Sequence, residues 1–255
     1  MLVERLLSRR AALLQRIEAA CARSGRDPAR VTLIAVTKTV PADAVRAAMR
    51  AGFTTFGENR VQEAAGKIAE LARPGEPPPG GPTEAGGSGV SARPGRGPCW
   101  HLIGPLQSNK ARRALELFDV VETIDSLALA RRLDRLVAEL GRTELPVLVE
   151  VNIDGDPAKS GYRVDAIEAD LAELTSLTHL RLAGLMTVGR LVADPEAARP
   201  TFRTLRELAE RLRGLHPRMG DVLSMGMTGD FEVAVEEGAT LVRLGRAIFG
   251  PRPAG

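Results

Sequence analysis

Lysine is nearly absent from this sequence. Of 35 basic residues only Lys38, Lys67, Lys110 and Lys159 are lysine, the other 31 being arginine. Arginine keeps its proton under ordinary conditions, so any chemistry that needs a neutral amine is confined to those four positions. Aromatic residues make up 3% of the chain, too few for the stacking platforms of single-strand nucleic-acid binders. The net charge is only +3, with acidic and basic residues interleaved, so no nucleic-acid partner is expected. The two cysteines, Cys21 and Cys99, have neither a CxxC partner nor a histidine at ligand spacing, which argues against a disulfide framework and against a zinc site. No apolar run approaches the ~18–20 residues of a bilayer span, and the opening segment carries Glu4, Arg5, Arg9 and Arg10 on an amphipathic pattern unlike a secretory leader. No membrane association and a cytoplasmic location are therefore expected.

What the chain does contain is alternation. After an opening helical stripe over 2–22, stopped at Gly25, eight short β-branched or Leu-rich runs appear at 31–36, 54–56, 100–103, 120–124, 147–153, 182–187, 222–225 and 241–244. Helical patterns lie between them, at 41–51, 58–71, 108–118, 126–140, 164–177, 195–212 and 228–237. Ser108, Ser126 and Thr228 are candidate N-caps and several helices stop at glycine. Near-continuous apolar strands separated by amphipathic helices indicate a parallel sheet covered by helices. Eight such units predict a single (β/α)₈ barrel over 1–255, with the opening helix as an extra N-terminal element. An open doubly wound sheet is the alternative, but the GxGxxG fingerprint is missing. From 73 to 98, 15 of 26 residues are Gly or Pro. That stretch reads as a flexible insertion with little to bury, placed on the barrel face away from the chemistry.

In a barrel the reactive groups project from the C-terminal ends of the strands. Lys38, Lys110 and Lys159 all follow strand runs, and Lys38 comes closest, two residues after the first. Apolar walls there are expected to depress its pKa and expose an amine able to form a Schiff base. At the other end of the chain, Ser224-Met225-Gly226 follows the seventh strand, and Arg243-Leu244-Gly245-Arg246 spans the eighth and the turn after it. Barrels often hold phosphate at these two loops, through backbone amides and a short helix start. Strands one and eight are neighbours in a closed barrel, so the amine and the phosphate cradle face one mouth. An aldehyde bearing a phosphate satisfies both. Pyridoxal 5'-phosphate is the first candidate; a Schiff-base aldolase acting on a sugar phosphate remains open. His101, inside the third strand, reads as a core histidine with satisfied hydrogen bonds.

Several segments then become recognisable: Ala35-Val36-Thr37-Lys38, Phe56-Gly57-Glu58-Asn59, His101-Leu102-Ile103-Gly104-Pro105-Leu106-Gln107-Ser108-Asn109-Lys110, Gly184-Leu185-Met186-Thr187, Leu223-Ser224-Met225-Gly226-Met227 and Val242-Arg243-Leu244-Gly245-Arg246. Together they resemble the pyridoxal-phosphate homeostasis protein family. The resemblance implies a barrel like the N-terminal domain of alanine racemase, with pyridoxal phosphate held as an internal aldimine on Lys38. It further implies Arg243 near the pyridine nitrogen, Ser224, Gly245 and Arg246 at the phosphate, and Asn59 and Met186 lining the pocket. Two positions depart from the family pattern, Arg60 where a Tyr is usual and Arg246 where a small hydroxyl residue is common. An amide contact survives the second change and a hydroxyl contact does not. A racemase of this type also uses a Tyr from a second domain, whereas the sole tyrosine here, Tyr162, is expected in a rim loop without an acid/base partner. The expectation is a monomeric carrier or buffer in vitamin B6 homeostasis, serving PLP-dependent apoenzymes, without robust turnover. A PLP-dependent racemase or lyase is the alternative.

Overall fold

The computed structural model describes residues 1–72, 89–90 and 97–251. Eight strands, β1 (Thr32–Val36), β2 (Thr55–Glu58), β3 (Cys99–Leu102), β4 (Val120–Ile124), β5 (Leu145–Glu150), β6 (Leu180–Met186), β7 (Val222–Ser224) and β8 (Leu241–Leu244), pair in parallel in sequence order. β8 returns to β1, from Thr32 opposite Leu241 to Ala35 opposite Leu244, and closes the barrel. Around it run α1 (Leu2–Ser24), α2 (Ala42–Arg50), α3 (Val61–Leu71), α4 (Ala111–Leu117), α5 (Leu127–Glu139), α6 (Ile167–Ser176), α7 (Arg199–Leu215), α8 (Phe231–Glu236) and the short α9 (Arg246–Phe249). The expected (β/α)₈ architecture with an extra N-terminal helix is the one observed.

The local reasons are visible in α5. Leu129, Ala130, Leu133, Leu136 and Val137 recur at helical spacing and are buried, Ser126 accepts the Leu129 amide at 3.4 Å, and Gly141 follows with φ 65°. β4, by contrast, is buried at all five positions, as a strand covered on both faces must be. The strand period of two divides the barrel interior into layers. Ile34, Cys99, Val120, Leu148, Ala183, Val222 and Leu241 form an apolar layer. Two residues further along their strands, His101, Glu122, Glu150, Ser224 and Arg243 place buried polar groups on the same face. Gly57 faces the interior between Ile34 and Ile103, where a Cβ would approach each to 2.9 Å.

α1 straps the ends of the chain together. Arg16 pairs with Glu232 at 2.8 Å and stacks on Phe231 at 4.5 Å, Arg9 donates to the Ile248 carbonyl at 2.6 Å, and Arg26 donates to the carbonyls of Ala239 and Gly238 at 2.9 and 3.1 Å.

Several boundaries differ from the sequence reading. Glu58 ends β2 and does not open the next helix, Gly214 lies inside α7, and neither Ser108 nor Thr228 is an α-helix N-cap: Ser108 opens a 3₁₀ turn (Ser108–Lys110), and α8 begins after Asp230. The fifth strand ends at Glu150 because the Asn152 amide side chain donates to the Asp156 carbonyl at 2.8 Å and accepts the Asp156 amide at 3.1 Å, turning the chain there.

Most of the Gly/Pro-rich insertion over 73–98 lies outside the described residues, but Gly89, Val90, Gly97 and Pro98 do not. Val90 is 4% exposed and packs into the apolar layer with Cys99, Val120 and Leu241, while Arg181 donates to the Gly89 carbonyl at 3.1 Å. The segment, expected to have little to bury, thus buries one side chain. Val90→Ala should lower stability by about 1–3 kcal/mol in urea denaturation, from lost methyl burial plus the cavity left behind. Replacing the whole insertion by a short Gly/Ser turn should cost a similar amount.

Candidate functional site

Lys38 sits at the second position of a tight turn leaving β1, closed by the Val40 amide on the Thr37 carbonyl at 2.9 Å. The third position, Thr39, has φ 63°, the only positive φ among the described non-glycine residues. A β-branched residue resists this left-handed conformation, which persists only where the surroundings impose it. They do so here: Glu63 Oε1 accepts the Thr39 amide at 2.5 Å, and Lys67 Nζ donates to the Thr37 carbonyl at 2.6 Å. Lys67 also binds the Glu58 carboxylate and reaches Glu63 at 3.3 Å, while the Thr37 hydroxyl donates to Glu58 at 2.7 Å. Glu58 is wholly buried, and burial pushes its carboxyl above the ordinary range against the pull of Lys67 and Thr37.

On the interior side, Arg243 is 5% exposed. Its guanidinium donates to Ser224 Oγ at 2.7 Å and to the Thr187 carbonyl at 2.8 Å. Ser224 in turn donates to Glu122, whose other oxygen meets His101 Nδ1 at 2.6 Å. Burial opposes both charges of the last pair, yet each supports the other: His101, with Cys99 also beside it, is held well above the usual imidazole range and Glu122 below the usual carboxylate range. Burial likewise pulls the Arg243 guanidinium down, countered by Glu122, Glu150 and Asp230. His101 is thus a core histidine as expected, although its Nε2 has no partner among the described residues.

Lys38 and Arg243, one from each assembly's edge, border one cavity of about 680 Å³ at the C-terminal end of the strands, lined also by Asn59, Met227, Thr228, Asp230, Gly245 and Arg246, among others. That volume suits a small-molecule ligand. Gly245 is the N-cap of α9, whose first amides have no acceptor within the helix. Asn59 is fixed from behind: a Cβ on Gly104 would meet the Asn59 carbonyl oxygen at 2.4 Å, so only glycine lets the two backbones pass. A second cavity of about 340 Å³ lies on the other side of Lys38, between the β1 turn and α1.

Of the residues singled out in the sequence, Lys38, Asn59, Arg243, Gly245 and Arg246 line the larger cavity. Met186 and Ser224 do not. They are register partners across β6 and β7, both fully buried, and the Ser224 hydroxyl is already engaged by Arg243 and Glu122. Strand alternation turns both side chains into the barrel, behind Arg243. Lys159 binds the Val188 carbonyl at 3.0 Å and, with Lys110, lies off the cavity. Tyr162, expected without a partner, is 7% exposed and donates to Asp170 at 3.0 Å; burial and that carboxylate raise its pKa. Lys67, Glu58 and Glu63 escaped the sequence reading. Their one sequence signal was the i,i+4 spacing of Glu63 and Lys67 in a chain that seldom uses lysine.

The family model described as alanine racemase, N-terminal domain, matches residues 9–253. The pyridoxal phosphate homeostasis proteins of Pseudomonas aeruginosa and Escherichia coli K12 are 42% and 41% identical, with 94% and 93% of this chain and 93% and 92% of theirs covered. The chain belongs to this family. Among solved structures, PipY of Synechococcus elongatus with PLP bound is similar at 36% identity and a TM-score of 0.76, covering 96% of this chain and 100% of that one. Alanine racemase of Clostridium difficile, at 13% identity, TM-score 0.63 and coverage of 94% and 55%, shares the fold alone. No helix among the described residues is long and apolar enough to cross a membrane.

The interior layer carries its own pH signature. Burial, with Asp125 nearby, pushes the Glu150 carboxyl up to about 7 against the pull of Arg243. The unfolded chain ionises this group near the ordinary 4.5. Its contribution to stability is therefore full below about pH 4.5 and lost as pH rises to about 7. Glu150→Gln should remove that loss, so urea denaturation should show the variant gaining on the parent by on the order of 2–3 kcal/mol between pH 5 and pH 8.

Proposed function

We propose that this chain binds pyridoxal 5'-phosphate at the Lys38 cavity and acts as a carrier or buffer in PLP homeostasis. The observation that carries this reading is the convergence of a primary amine, a buried guanidinium and the start of α9 on one cavity across the β1–β8 seam. Those donors suit an aldehyde, a ring nitrogen and a phosphate respectively. Lys38 would be the amine that meets the aldehyde. The amides of Gly245 and Arg246 would hold the phosphate with the Arg246 side chain at the rim, and Asn59 would face the ring. Ser224 and Met186 act one step back, Ser224 by orienting Arg243 and Met186 by filling the barrel beneath it.

When bound, pyridoxal phosphate supplies a conjugated ring able to take up electrons from an attached carbon. Arg243 limits that capacity. A guanidinium donates hydrogen bonds and disfavours a second cation beside it, so Arg243 would favour an unprotonated ring nitrogen. Tyr162, the only tyrosine, is committed to Asp170. The cavity therefore offers binding without the acid/base pair of a racemase, and the protein is read as a monomeric cytoplasmic carrier that supplies PLP-dependent apoenzymes. The family of the relatives and the PLP-bound PipY structure support this over the aldolase reading.

Borohydride reduction of the PLP-loaded protein followed by peptide mapping should label Lys38. Lys38→Ala and Lys38→Arg should both abolish the label, since guanidinium keeps the charge and cannot condense. Label on another lysine overturns the assignment. Incubated with a panel of L-amino acids, the loaded protein should racemise or cleave them far below ordinary enzyme rates of about 1–10³ per second, followed by chiral and keto-acid analysis; turnover in that range restores the enzyme reading.

A further inference from the structure

The two residues that flank Lys38 are both held from α3. Lys67 Nζ donates to the Thr37 carbonyl at 2.6 Å, and Glu63, which Lys67 reaches at 3.3 Å, accepts the Thr39 amide at 2.5 Å. Beneath them Glu58 takes the Lys67 ammonium and, at 2.7 Å, the Thr37 hydroxyl. Lys67 has a side chain only 6% exposed and Glu58 one that is 0% exposed. A buried ammonium and carboxylate are costly to desolvate, and packing the barrel wall against α3 needs neither. The arrangement does something that apolar side chains could not: it holds a strained φ of 63° at Thr39 and both chain neighbours of Lys38 within the Thr37–Val40 turn. Groups that must meet a ligand in one geometry are held by such supporting contacts.

We propose that Lys67 is a positioning residue for Lys38, clamping the 37–40 turn through the Thr37 carbonyl and, by way of Glu63, the Thr39 amide. The proposal rests on the reading of Lys38 as the amine that captures the cofactor. Its consequence is selective. Loosening the turn would leave Arg243 on β8 and the Gly245–Arg246 turn in place and degrade only the approach of the amine to the aldehyde.

Two ligands separate these effects: pyridoxal 5'-phosphate, and pyridoxine 5'-phosphate, which has an alcohol in place of the aldehyde and cannot be captured. In Lys67→Met the affinity for pyridoxal phosphate should fall about tenfold or more, ~1.4 kcal/mol per tenfold, and borohydride capture at Lys38 should slow in proportion. The affinity for pyridoxine phosphate should change by less than about twofold. Since Lys67→Met leaves Glu58 buried without its cation, the double variant Lys67→Met/Glu58→Gln serves as the folded companion and should show the same split. Glu63→Ala, which frees only the Thr39 amide, should show a smaller loss of the same selectivity. An equal loss for both ligands in the folded double variant makes Lys67 a general stabiliser and overturns the proposal, as does unchanged capture. If the parent protein itself is not labelled at Lys38, the functional reading fails and this inference with it; if the parent is labelled and the variants are labelled equally fast, this inference alone fails.

Discussion

The ladder between β1 and β8, running from Thr32–Leu241 to Ala35–Leu244, joins the first and last strands of the chain and places Lys38 beside Gly245 and Arg246. Ladder hydrogen bonds are individually modest, but this pairing turns an open sheet with two exposed edges into a closed one. α1 reinforces the seam. Its Arg9 binds the Ile248 carbonyl in α9, and Arg26, just after the helix, binds the carbonyls of Gly238 and Ala239 in the turn that follows α8. Opening the seam would separate the Lys38 amine from the Gly245–Arg246 turn, which lie more than 200 residues apart in sequence.

Charge is buried on both sides of the barrel wall near the mouth, and the two assemblies have different work. Inside, the series His101–Glu122–Ser224–Arg243 balances a guanidinium in a medium that would otherwise reject it. Outside, Lys67, Glu58 and Glu63 hold the turn that carries Lys38. Neither is an efficient way to gain stability, because the desolvation of such groups consumes most of the Coulomb attraction, and removing one partner typically costs about 3–5 kcal/mol. What they provide is direction. A charge with two or three fixed partners has one orientation, and a ligand pocket that must present an amine and a guanidinium together needs both fixed.

The cavity is shared between constraint and openness. Below it, the apolar layer from Ile34 to Leu241 is closed from the far end by Val90, so the barrel is a packed solid rather than a pore. Above it, Leu191 is 87% exposed on the long connection after β6 and lines the mouth. Among the described residues the cavity lies on the C-terminal face, where the strands end and the loops begin.

The architecture was legible in the residues themselves. Eight apolar runs separated by helical stripes read directly as eight β/α units, because burial on both faces of a strand and on one face of a helix writes distinct periods into the chain. Lys38 was legible for a similar reason: it follows the first run, in a sequence that otherwise chooses arginine. The places of Asn59, Arg243, Gly245 and Arg246 followed from strand ends and family resemblance. Ser224 and Met186 were assigned to the pocket and lie behind it, since one residue of strand alternation separates a rim group from an interior one and the ends of short strands are not readable to that precision. Val90 looked like part of a featureless insertion, and a single anchoring side chain leaves no period. Lys67 was set aside as the one lysine away from the rim, although it touches both neighbours of Lys38. Periodicity and composition are properties of the chain and can be read along it. Which buried charges meet across 20 or 100 residues depends on the closure and register of the barrel, and those are decided only when all eight strands are in place.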